Sequence, residues 1–338
     1  MILVCGEALV DLFVSVDPVN DVATEALLGG SPFNVAVGLS RLGARAAFFG
    51  GISTDPFGQA IGRKLAREGV ALSFAKKSER LSTISVVATD ANGQPSYAFH
   101  GEGKADRDIT QADLPGPEHE FEAITVGSYT LAVPPVADAL LTLVQREAGR
   151  ATISLDPNVR PTVTPDIKAW RSQFEAFLPY ADIIKASEED LCTGYGTACV
   201  PEDLIAGWLL RGPRLVVLTR GVHGASAFLR GQPEIRVDAL PVKVADTVGA
   251  GDSFHAALLA SLSKIGRLAR PRFMELEVAD LRKAMNFAIA ASSITCSRKG
   301  ADLPTESDIL AVMQPRFASG GAVRPDDPGT AGPEGSSR

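Results

Sequence analysis

The segment Asp246-Thr247-Val248-Gly249-Ala250-Gly251-Asp252-Ser253-Phe254 sets two glycines and an acid at the head of a long apolar stretch reaching about Lys264. Glycines let successive backbone N–H groups converge, and a helix start adds partial positive charge, so the turn reads as a phosphate-sized anion site. Residues 237–244 before it have the pattern of a strand feeding the turn. Asp252 has two readings. It caps the helix N-terminus, or it is a base held beside the anion site to take the proton of an attacking hydroxyl.

A second glycine-rich segment, Gly29-Gly30-Ser31-Pro32-Phe33-Asn34, opens a helical spacing over 34–42. Paired glycines permit a ligand to approach the backbone closely. Asn34 offers both a donor and an acceptor, as a polyol requires, or else caps the helix. Asp11, after the first apolar run, suits two adjacent hydroxyls as a bidentate acceptor, or caps a turn. Asp156-Pro157-Asn158-Val159-Arg160 follows the apolar run 152–155. Its polar groups therefore emerge at the carboxyl end of a strand, where α/β sheets bind ligands. The planar fork of Arg160 suits a phosphate or a carboxylate, or pairs with Asp156. Other glycine loops fail on spacing: G-x-G-x-x-G needs glycine where Phe254 stands, and Gly103-Lys104 is followed by Ala105 rather than Ser or Thr.

These residues need a frame. Short apolar runs recur at 2–5, 46–49, 124–126, 152–155, 182–184 and 215–218, separated by helical spacing at 34–42, 57–68, 135–147 and 170–178. Buried strands alternating with helices predict βαβ units and a largely parallel sheet between helical layers. Residues 12–29 and 81–104 break the rhythm with hairpin-like alternation, including the turn Asp90-Ala91-Asn92-Gly93. One wet face and one covered face predict a small β-sheet lid. Phe99 and Tyr97 share one face of it, either to cover a ligand or to pack the sheet. The stretch 318–338, rich in Gly, Pro and Ser, lacks the apolar side chains to offset ordering entropy and is expected to be a disordered tail.

Composition narrows the class. The chain has 338 residues, 45% of them apolar, with 33 Lys+Arg against 40 Asp+Glu for a net charge of −7. Such a chain buries a substantial core, which excludes global disorder, and its acidic balance argues against a nucleic-acid binder. Four cysteines without C-x-x-C spacing read as small buried hydrophobes in a reducing compartment. Four scattered histidines give no His/Cys zinc site, and no apolar run of about 18 residues spans a membrane. The N-terminal residues lack the basic region of a signal peptide, so a cytoplasmic location is expected.

The stretch 29–58 (GGSPFNVAVGLSRLGARAAFFGGISTDPFG) together with Asp246–Ser253 resembles the paired signatures of the ribokinase-like (PfkB) carbohydrate kinases, in order over about 300 residues. The resemblance implies an α/β fold, a three-layer α/β/α sandwich with a mostly parallel central sheet and a small β-sheet lid. It implies a kinase domain over 1–317 that transfers the terminal phosphate of ATP to a sugar hydroxyl. By it, Asp252 is the catalytic base, and Gly249, Ala250 and Gly251 form the anion hole. Asp11, Gly30 and Asn34 match sugar-binding positions, with Phe99, Arg107, Asn158 and Arg160 beside them. Thr219, Gly221, Gly224 and Asn286 fall near the nucleotide, and 298–301 close its pocket; an acidic protein that binds ATP also needs local positive charge, which Lys185 and Arg160 can supply. Asp246 and the Val248 carbonyl correspond to a monovalent-cation (K+) site. The family's Asn-x-x-Glu motif, which orders Mg2+-bound water, stands here as Ser187-Glu188-Glu189-Asp190, so that Asp190 or Glu189 serves through water. Asp-Pro-Asn, Ser-Pro-Phe-Asn and Ala105-Asp106-Arg107 look most like bacterial fructokinases. The alternatives are a 2-keto-3-deoxygluconate, ribose or nucleoside kinase, or a catalytically silent sugar-binding regulator. A homodimer paired through the lid is compatible with the apolar positions of 81–101.

Overall fold

The computed structural model describes residues 1–16, 22–89 and 95–318. In chain order it runs β1 (Ile2–Cys5), β2 (Leu9–Val16), β3 (Val22–Gly29), α1 (Ser31–Arg41), β4 (Ala46–Phe49), β5 (Gly51–Ser53), α2 (Pro56–Arg67), β6 (Lys76–Ser78), β7 (Ile84–Thr89) and β8 (Pro95–His100). It continues with β9 (Ala123–Gly127), α3 (Val136–Glu147), β10 (Thr152–Asp156), α4 (Ile167–Phe177), β11 (Ile183–Ser187), α5 (Glu188–Tyr195), α6 (Pro201–Arg211) and β12 (Leu215–Thr219). It closes with β13 (Ala225–Leu229), β14 (Ile235–Val237), α7 (Ala250–Lys264), α8 (Val278–Cys296) and α9 (Glu306–Ala318).

Eight strands form one sheet in the order β14-β13-β12-β11-β10-β9-β1-β4. The six from β12 to β4 pair in parallel, and β13 and β14 join antiparallel at one edge. Successive strand side chains point to opposite faces, so a strand covered on both sides must be apolar throughout. β1 shows this: Ile2 and Val4 enter one core, Leu3 and Cys5 the other. The first core packs under α1, α2, α7, α8 and α9, the second under α3, α4, α5 and α6. Helix α7 is buried along nearly its whole length, consistent with apolar residues all round it. β10 is unusual. Ile153 and Leu155 enter the second core, but Thr152, Ser154 and Asp156 line its other face, all buried.

β3-β2-β7-β8 form a separate four-stranded sheet, and β5-β6 a two-stranded one. Register fixes what the four-stranded sheet presents. Asp11 pairs with Leu27 and Ser85, and Ser85 with Phe99, so these four residues form one row on one face.

Two expectations need correction. The strand expected over 237–244 stops at Val237, and 238–249 run without regular structure. Pro241 removes a ladder donor, and Val242 and Val244 are exposed rather than packed in the sheet. Of the cysteines, only Cys5 is buried; Cys192 is exposed and Cys199 and Cys296 are half-buried, all four free. The Asp90-Ala91-Asn92-Gly93 turn and 319–338 lie outside the described residues, as does the side chain of Tyr97. Among the described residues no helix is long and apolar enough to cross a membrane.

Candidate functional site

Helix α7 starts from Gly249, whose φ of 76° is left-handed and whose side chain, if it had one, would strike Ala301. Asp252 sits in its first turn without capping it. Its Oδ1 accepts from the Ser31 hydroxyl at 2.6 Å and its Oδ2 from the Asn34 amide at 2.8 Å. Both partners belong to α1, so the two glycine-rich segments meet on this carboxylate. Asn34 likewise does not cap α1; it lies inside the helix, whose N-cap is Gly30. Burial pushes the Asp252 carboxyl above the ordinary aspartate value, against the pull of Ser31, Asn34 and the Lys185 ammonium.

The Ala250 N–H turns back to the Thr247 carbonyl at 3.2 Å, and the Ser253 N–H is the first to bond within the helix, to Gly249. Gly251 and Asp252 therefore hold the free N–H donors of the first turn. Lys185, near the end of β11, lies beneath them: a Cβ on Gly251 would come within 3.0 Å of its Nζ. The same Nζ donates to Asp156 Oδ2 at 2.9 Å, both groups being buried. Burial alone would lower the Lys185 pKa, but the carboxylates of Asp156, Asp190 and Asp252 outweigh it and hold it above the ordinary value. Two positive features, ammonium and helix end, thus converge on one point.

A cleft of about 500 Å³ runs outward from Gly251. Thr219, Gly221 and Gly224 form one rim, where Gly224 is required because a side chain would meet the Val237 carbonyl at 2.0 Å. Leu240, Val242 and Val244 of the irregular stretch form another wall, which explains their exposure. Helix α8 contributes Ile289, Ser293 and Cys296; Asn286, one turn earlier, does not line the cleft. Asn158 and Arg160 stand at its inner side. Arg160 makes no pair with Asp156; its Nη1 donates to the Val159 carbonyl and the residue is exposed.

Asp252 is also within electrostatic reach of Asp11, on the sheet face that carries Ser85 and Phe99. Burial raises the Asp11 pKa, opposed by the Ser85 hydroxyl and helped by Asp252. Asp11 Oδ2 lies 2.5 Å from where a Gly29 Cβ would stand, so Gly29 makes room for it. Gly30, with φ of 105°, passes close to the Glu7 backbone. Phe99 meets Tyr129 edge-on at 5.2 Å, and the Arg107 guanidinium lies over both rings at 5.8 and 5.6 Å. Asn158, at φ 36°, donates to Ser128 at 3.4 Å; Ser128 itself has φ of 61°. Two strained non-glycine residues side by side mark a constrained site.

Several participants carried no sequence signal. Ser31, within the second glycine-rich segment, has a type and spacing that suit any helix start. Glu7 is buried and pushed up to about 8 by desolvation, opposed by the Ser128 hydroxyl and reinforced by Asp106 and Asp252. His255 and Ser154 belong to a buried polar cluster around Asp156.

The metal-ligand candidates are partly committed. Asp190 closes a capping box on α5: Oδ2 accepts from the Ser187 N–H and hydroxyl, and Oδ1 from the Val159 N–H. It is buried. Glu188 pairs with Arg220 at 2.9 Å, leaving Glu189 exposed at the cleft edge. Among the described residues no three His, Cys, Asp or Glu side chains converge as a metal cage. The groups present fit a hard cation that keeps its waters and arrives on phosphate oxygens. Asp246 clips two loops together, accepting from Val248 N–H at 3.1 Å and Gly300 N–H at 2.9 Å, while Val248 is exposed.

Residues 1–308 match the model of the pfkB family carbohydrate kinases. Over 282 residues the chain is 38% identical to a fructokinase of Rhizobium leguminosarum bv. trifolii, covering 83% of this chain and 86% of that one. It is 35% identical over 274 residues to a fructokinase of Klebsiella pneumoniae, covering 78% and 85%. Fructokinase from Vibrio cholerae O395, solved with fructose, ADP and calcium ion bound, superposes with a TM-score of 0.77 at 29% identity over 92% of this chain and 97% of that one. ATP-bound fructokinase from Xylella fastidiosa shares the fold, with a TM-score of 0.84 at 24% identity over 94% and 98%. From motif, fold and site alike, the chain belongs to the pfkB family of carbohydrate kinases.

Proposed function

We propose that this kinase phosphorylates fructose with ATP, in a kinase domain over 1–317 whose lid segments, 12–29 and 81–104, cover the sugar. The observation that carries the reading is the placement of Asp252. A buried carboxylate, anchored by Ser31 and Asn34, stands next to the free N–H donors at the inner end of a nucleotide-sized cleft.

In this reading the ATP phosphates lie along the cleft toward Gly251, with Thr219, Gly221 and Gly224 beside them. The sugar lies between Asp252 and the lid face, where Asp11 and the free Asn34 carbonyl accept its hydroxyls and Phe99 covers its apolar side. The reacting hydroxyl gives its proton to Asp252 as its oxygen bonds to the terminal phosphorus and the bond to the leaving ADP oxygen breaks. An aspartate is a weak base toward an alcohol, so the proton moves late, when the loose transition state has formed. Lys185 and the Gly251 and Asp252 N–H groups neutralise the charge spread over the transferring group. Mg2+ arriving with ATP would screen the phosphates, its waters ordered near Glu189 and Asp190. K+ near Asp246 would steady the loop pair that this residue clips.

A 2-keto-3-deoxygluconate kinase is the second reading. The Arg107 guanidinium has no carboxylate partner among the described residues, and its Nε is buried without a hydrogen bond. ADP release measured with fructose, 2-keto-3-deoxygluconate, ribose and a nucleoside separates them. Fructose is expected to give the highest kcat/KM, and a higher value for the sugar acid replaces the first reading with the second.

The hydrogen bonds to Asp252 set the acid side of the pH profile. Ser31 and Asn34 favour the ionised form, so Ser31→Ala or Asn34→Ala raises the Asp252 pKa further. The acid limb of kcat/KM is expected to move to higher pH in both variants, and an unmoved limb would show that another group is titrating.

A further inference from the structure

β10 turns Thr152, Ser154 and Asp156 toward α7, a buried polar stripe between the sheet and its helices. Such burial requires partners. Ser154 Oγ lies 2.8 Å from His255 Nε2, and His255 Nδ1 lies 3.6 Å from Asp156 Oδ2, the oxygen that holds Lys185 at 2.9 Å. His255 is 1% exposed and Asp156 2%, so water competes with none of these contacts. His255 follows Asp252 by one turn of α7. His255 Nδ1 has no hydrogen-bond partner among the described residues, so His255 of α7 only faces Asp156, and the side-chain bond that Asp156 does make is the one to the Lys185 ammonium.

We propose that Asp156 is the positioning residue that fixes Lys185 Nζ beneath Gly251 and thereby sets the spacing between the phosphate-side cation and the base Asp252. The inference rests on the proposed role of Lys185 at the phosphates and adds what holds it there. The physical reason is the position of the ammonium. It lies within reach of Gly251, beside a helix N-terminus whose partial positive charge repels it. Left to itself a buried lysine in that place would give up its proton or withdraw. Asp156 supplies the opposing charge from below, at a point where it does not compete for the cleft. Phosphoryl transfer depends on positioning, so a displacement of about 1 Å is felt as roughly a 100-fold loss. Asp156 touches neither proposed substrate and acts through Lys185.

The test compares Asp156→Asn with Lys185→Met and wild type. Asp156→Asn keeps shape and an acceptor but removes the charge. It is expected to lower kcat about 100-fold with the sugar KM unchanged. A structural role alone would not give the second signature, a basic limb in the kcat profile. Lys185 faces Asp156 on β10, Asp190 on α5 and Asp252 on α7, with His255 behind Asp156 and Arg160 across the cleft. With Asp156 neutralised, burial has less to oppose it, so Lys185 deprotonates at lower pH and turnover falls as pH rises, returning when pH is lowered. The wild type shows its basic limb at higher pH, and Lys185→Met shows no such limb. If Asp156→Asn does not accumulate folded, Asp156→Glu keeps the charge but displaces it by one methylene, and is expected to lower kcat without bringing the basic limb to lower pH. Should Lys185→Met retain full kcat, the phosphate-side role of Lys185 falls. Should Lys185→Met lose kcat while Asp156→Asn, or Asp156→Glu in its place, keeps wild-type kcat and profile, the positioning inference alone is overturned.

Discussion

Asp252→Asn is expected to lower kcat by about 10²- to 10⁴-fold, the contribution of a positioned general base, while the KM values for sugar and ATP change little. The geometry makes the substitution mild in every other respect. Asn keeps the size of the side chain, Ser31 still finds an acceptor, and the Asn34 amide can turn its carbonyl toward the new NH₂ group. Stability separates chemistry from damage. The folded pKa of Asp252 lies above its ordinary value of 3.8, so the group contributes stability below that value and loses it as pH rises through the folded pKa. At neutral pH the ionised carboxylate is therefore a destabilising element that Asn lacks. The melting temperature of the variant is expected to equal or exceed that of the wild type. A variant that melts normally and retains full turnover would remove Asp252 from the chemistry altogether.

Gly249→Ala is expected to act through the backbone. At φ 76° an L side chain costs about 1–2 kcal/mol. The added Cβ would also stand 2.6 Å from the Ala301 Cβ and 2.9 Å from its Cα. The turn must shift, and with it the Gly251 and Asp252 N–H groups. Loss of kcat by about 100-fold is expected for a displacement of about 1 Å. Gly62→Ala is the matched control. It lies in α2 with open space around the new methyl, so it should leave activity unchanged and stabilise the helix by about 0.5–1 kcal/mol. Equal kinetics for the two alanine variants would mean that the turn's shape is irrelevant to transfer.

Motifs whose chemistry is local were legible. The glycine turn, Asp252 and Asn34 announce themselves because a backbone conformation and a helix start are written in a few adjacent residues. The alternating apolar runs announced the parallel sheet for the same reason, since burial on both faces demands continuous hydrophobic residues. The 237–244 stretch misled because a run of valines has strand propensity wherever it lies. What those valines cover, a ligand cleft instead of a sheet neighbour, depends on parts of the chain far away. Cys192 shows the same limit, since average burial says little about one position on an exposed turn of α5.

The chain by itself determined the fold class, the family resemblance and the acid at the head of α7, because each follows from short-range pattern. Only the tertiary structure decided what that acid meets. Its Ser31 partner is 221 residues away, and Lys185 is aligned by Asp156, 29 residues earlier. In sequence Thr152, Ser154 and Asp156 interrupt a strand, and His255 is one polar residue in an apolar helix. Each is costly to bury alone and becomes stable only when folding brings its partner within hydrogen-bond reach. Pairings of that kind are a property of the packed whole, which no local stretch of residues contains.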